Sequence, residues 1–129
     1  WTSLNGLGTN GNGITGDALK AVFDNSGKPT SSSTVTNAQS DGSVAGGSGS
    51  KTSGLIYLEA GKTYSFSGTG DDSLLITIGG KNVATALWGS GGGISGSFTP
   101  TTSGYYTLDI YHANQSGPGS YDVNLSVNG

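Results

Sequence analysis

Apolar and polar residues alternate with a period of two along most of this chain, and the 3.6-residue recurrence of a helix is almost missing. The alternation is sharpest from Leu55 onward. Leu55 to Leu58 reads as a short apolar strand, Glu59-Ala60-Gly61-Lys62 as a turn, and Tyr64 with Phe66 as the start of the next strand. Leu74, Ile76 and Ile78 line one face of a strand ending at Gly79-Gly80, a two-residue connection suited to a primed hairpin turn. Its return strand runs from Lys81 to Leu87. Ile94, Gly96 and Phe98 alternate next, and after a turn at 99–104 the inward positions are Tyr106, Leu108 and Ile110, opposed by Tyr105, Thr107 and Asp109. A final strand sets Tyr121, Val123, Leu125 and Val127 inward and Asp122, Asn124 and Ser126 outward. Five or six closely spaced strands predict an all-β fold, an antiparallel β-sandwich or jelly roll.

The first half of the chain carries less pattern. Residues 1–16 are turn-rich, pinned by Trp1, Leu4, Leu7 and Ile14. From Asp17 to Asp24, Leu19, Ala21 and Phe23 share one face with Lys20 on the other; Asp17 would suit a helix cap, but the glycine, proline and Ser/Thr run that follow favour a strand. Residues 26–54 predict a long loop or weak edge hairpin anchored by Val35 and Val44, with 46–50 (Gly-Gly-Ser-Gly-Ser) its most mobile part.

Composition narrows the function. At 129 residues the chain is expected to be one domain, 1–129, with a single core. Only 10% of residues are charged and 25 are glycine, so solubility comes from hydroxyls and turns, a surface style of secreted all-β proteins. The absence of cysteine excludes a disulfide framework, a thiolate zinc site and a cysteine nucleophile. A formal charge of −3 without a basic cluster argues against nucleic acid and against direct membrane binding. No apolar run approaches the roughly 20 residues of a membrane span. A start at Trp1 without a secretory segment suggests a domain excised or processed from something larger, monomeric when isolated.

Asp71 and Asp72 are adjacent in Gly-Thr-Gly-Asp-Asp-Ser-Leu-Leu-Ile and hold two of the chain's eight acidic residues. Carboxylates that close repel unless something positive lies between them, and the chain has no arginine and one histidine. A bound hard cation with oxygen ligands answers this, and calcium is the natural candidate. Asp, Gly and Ser are also ordinary turn residues. The balance is tipped by a second oxygen-rich loop, Ala113-Asn114-Gln115-Ser116-Gly117-Pro118-Gly119-Ser120, which a sandwich can place beside the first. Two carboxylates, an amide oxygen and one or two carbonyls leave calcium's shell of about 6 to 8 oxygens open to water or ligand hydroxyls.

The order of these parts resembles the PA14 family, closest to the calcium-dependent, sugar-binding lectin domains of large bacterial RTX adhesins. The resembling stretches are residues 19–25, 56–66, 71–81 and 104–112, strongest from Leu55 onward. The resemblance implies that Asp71 and Asp72, joined by a cis peptide, hold calcium with an amide side chain and later carbonyls, while vicinal sugar hydroxyls complete the shell. Carried onto this sequence, the amide is Gln115 first and Asn114 second, with carbonyls at Gly117 and Gly119 and Ser116 beside the ligand. It further implies an extracellular domain at a bacterial cell surface that binds glycans in adhesion or biofilm. Ser73 stands where the family often has glycine, and residues 26–54 match poorly.

Other candidates are weaker. Trp88, in a glycine-rich loop, could stack on a sugar or cap the core; His112, closing a strand, reads as a structural hydrogen-bonding group. No carboxylate pair or serine triad context supports an enzyme. The remaining rivals are a calcium-rigidified spacer and a pre-peptidase-type accessory module of a secreted hydrolase.

Overall fold

The computed structural model describes Leu4 and residues 16–25, 46–71, 73–87, 93–114 and 120–128. Among these residues one helix, α1 (Gly16–Asn25), precedes seven strands: β1 (Ser48–Leu58), β2 (Thr63–Asp71), β3 (Ser73–Ile78), β4 (Lys81–Leu87), β5 (Gly93–Phe98), β6 (Gly104–Asn114) and β7 (Ser120–Asn128). Every strand pair is antiparallel, in the order β1-β6-β3-β4-β5-β2-β7. The fold is all-β, as the alternation predicts.

The sheet does not lie flat. Among the described residues β4 and β5 are joined at Thr85 opposite Ser95, and there the sheet curls over, laying β5-β2-β7 across β1-β6-β3-β4. Residues from both halves fill the space between. Leu58, Leu74, Ile76, Ile78, Ala84, Ala86 and Ile110 come from one side and Tyr64, Phe66 and Ile94 from the other, all buried. The inward faces of β3 and β6 are those the period-two pattern gives. The hairpin at Gly79-Gly80 has φ of 59° and 84°, the left-handed pair a type I′ turn requires.

Three expectations are corrected. Residues 16–25 are helical, not a strand. Leu19, Val22 and Phe23, spaced i, i+3, i+4, form its buried face against Leu75, Tyr111 and Ala113 on the outer side of β3 and β6, while Ala21 points to solvent. Asn82 Nδ2 donates to Asp17 Oδ1 at 3.1 Å and ties the first turn to β4. This cover is why all six residues of β3 are buried, Ser73, Leu75 and Thr77 as fully as the inner face.

Second, of the loop or weak edge hairpin expected over 26–54, residues 48–54 are an edge strand, the first part of β1, paired with β6 and not with a hairpin partner of their own. They pair residue by residue with β6, from Ser48 opposite Asn114 to Gly54 opposite Leu108. An edge strand is held by backbone bonds to one neighbour, so its first half needs no apolar pattern. Residues 46–47 form the turn entering it, and residues 26–45 lie outside the described set. Third, Tyr121 and Val123 pack on the core, but Leu125 and Val127 are exposed where β7 runs past it.

Candidate functional site

The register of the strands decides which loops meet. Asp71, the last residue of β2, is opposite Ser120, the first of β7. Ser73, the first of β3, is opposite Ala113 near the end of β6 and Leu87 at the end of β4. Two chain crossings between the layers, 71–73 and 114–120, therefore spring from paired residues at both of their feet. The loop carrying Trp88 leaves β4 at the same end. β2 and β3 approach closely beside the crossing at 71–73: a Cβ on the buried Gly70 would lie 2.5 Å from Leu74 Cβ.

Beneath the crossings the interior turns polar. His112 and Asn114 face inward on β6 with no solvent exposure. The His112 ring lies on that of Tyr121, centroids 4.5 Å apart and planes inclined by 31°, so β6 and β7 touch across the sandwich. Ser50 Oγ donates to Tyr121 Oη at 3.4 Å, and Gly47 N–H donates to the Asn114 carbonyl at 2.7 Å. Asn114 is thus held through both its backbone and its burial, a placement the sequence did not reveal.

Among the described strands, lysines sit at the end opposite the crossings and on the outer face of β1 opposite Tyr111. At the far end, Lys62 Nζ lies 2.7 Å from Glu59 Oε2, and that hydrogen bond, with the attraction of the carboxylate, holds the ammonium above its ordinary pKa. Lys81 also opens β4 there, and Lys51 sits 5.3 Å above the Tyr111 ring on the outer face. Strands β2, β3, β6 and β7, which frame the Asp71-Asp72 crossing, contain no lysine. Among the described residues, no three of His, Cys, Asp and Glu gather into a metal-binding group.

Of the residues singled out from sequence, Asn114 is fully described and Asp71 through its backbone pairing. Asp72 and its bond to Asp71, Trp88, Gln115, Ser116, Gly117 and Gly119 lie outside the described residues. Comparison with known families, curated proteins and solved structures gives no significant match.

Proposed function

We propose that the domain is a calcium-dependent carbohydrate-binding module of the PA14 kind its sequence resembles. Asp71 and Asp72 supply the carboxylates, the 114–119 crossing supplies an amide and carbonyl oxygens, and neighbouring sugar hydroxyls fill the remaining positions. The observation that carries this reading is the shared footing of the two crossings, Asp71 opposite Ser120 and Ser73 opposite Ala113. It supports the reading because the strands that flank the acidic pair and the oxygen-rich segment, β2, β3, β6 and β7, end together and contain no lysine.

The test is titration calorimetry with calcium on the wild type and on the double variant Asp71→Asn, Asp72→Asn. Removing two formal charges with little change of shape is expected to weaken calcium at least about 100-fold, since charge count sets affinity in oxygen sites. The far-UV spectrum should stay unchanged. Unaltered calcium uptake would place the ion elsewhere. A glycan array read with calcium and again with chelator then separates a lectin from a spacer. Calcium-dependent hits that require a vicinal diol support the reading, and a calcium-loaded protein without hits leaves the spacer.

The two amide candidates should behave differently. Asn114 is wholly buried, so Asn114→Ala is expected to cost about 1–3 kcal/mol of fold stability by disturbing a desolvated polar group. Gln115→Ala should weaken calcium and sugar together while leaving the thermal midpoint in place. A Gln115→Ala variant with wild-type calcium affinity would pass the ligand role to Asn114.

A further inference from the structure

We propose that the free edge of β7 pairs with β7 of a second copy of this chain, antiparallel across a two-fold axis through Leu125. β7 ends the strand order, and among the described residues no strand pairs with its outer edge. Open edges in native sheets are usually blunted by lysine, proline or a bulge. β7 has a single charge, Asp122, and no lysine, proline or bulge: its sequence is Ser-Tyr-Asp-Val-Asn-Leu-Ser-Val-Asn, and its register with β2 is continuous from Asp71 to Thr63. β1, the other edge, carries Lys51 and two glycines.

The strand is complementary to itself. With Leu125 on the axis, Val123 faces the partner's Val127 and Asn124 the partner's Ser126, while Asp122 meets the partner's Asn128. Apolar therefore stays on the apolar face, and no like charges oppose each other. Residues 124–127 are the exposed run, with Leu125 46% and Val127 52% exposed, so the pairing covers the apolar side chains that the domain's own packing leaves open. Tyr121 keeps its place against His112. Because the two strands are antiparallel, the two loop ends point in opposite directions. Resting on the reading above, such a pair would join two glycan surfaces rather than grip one.

A chain without cysteine makes the register directly testable. Directly opposed residues of an antiparallel pair have Cα atoms about 4.5–5.5 Å apart, within disulfide reach. Leu125→Cys is therefore expected to give a covalent dimer on mild oxidation. Asn124→Cys should not, because its own copy is displaced two residues along the strand. Both reactions are run in chelator, so the outcome is independent of calcium. In sedimentation, the wild type should show a concentration-dependent dimer and Leu125→Lys a monomer whose melting curve matches that of the dilute, monomeric wild type. A wild type that stays monomeric at millimolar concentration, cross-linking through Asn124→Cys in place of Leu125→Cys, or a Leu125→Lys dimer would each overturn the proposal.

Discussion

Gly68→Ala is expected to lower the unfolding free energy by about 3–5 kcal/mol, much of the stability of a domain this size. Gly68 lies in β2 with φ of 138°, a conformation that L side chains rarely adopt, and it pairs with Ile94 on one side and Val123 on the other. A Cβ there would overlap the carbonyl oxygen of Asp122. The oxygen is backbone, so relief requires β7 to separate from β2. Strained dihedral and overpacking each cost roughly 1–3 kcal/mol, and here they act together. Urea unfolding followed by circular dichroism measures the effect. A loss below about 1 kcal/mol would mean that β2 and β7 do not meet in this register. The same separation would spread Asp71 from Ser120, so under the proposed function calcium affinity should fall with stability.

What the sequence makes legible is local. The Gly79-Gly80 hairpin, the bounds of β4 and the inward faces of β3 and β6 follow from turn chemistry and period two, and the structure has them where the pattern puts them. α1 was not legible because Leu19 and Phe23 fit both periods. Period two adds Ala21 and the helix adds Val22, and the choice is made by Leu75 and Tyr111, about fifty and ninety residues away. β1 extends back to Ser48 for a similar reason, because its partner is β6 and not its own side-chain pattern. At the candidate site the acidic pair is visible as charge without compensation. The shared footing of the two crossings is not, since it depends on pairing residues about forty to fifty apart in the chain, Asp71 with Ser120 and Ser73 with Ala113. The burial of His112 and Asn114 has the same non-local origin.

Phe23→Ala is expected to cost about 3–4 kcal/mol and to release α1 before the sheet. The Phe23 ring is buried, and its centroid lies 5.3 Å from that of Tyr111 at 60°, an edge-on contact worth more than its area alone. Leu19 and Val22 complete a cluster with Leu4, Leu75, Tyr111 and Ala113 that is separate from the core between the layers. The helix has ten residues, too few to persist without this anchorage. Without the Phe23 ring, its amides should exchange near the rate of an unfolded chain while those of β3 and β6 remain protected by their ladder. Leu75 and Tyr111 then become accessible, so the variant should bind hydrophobic dye. The candidate site should respond weakly, because Asn114 and His112 face the opposite side of β6 from α1. Retained protection in α1, or sheet and helix lost in one step, would show that α1 is held by more than this cluster.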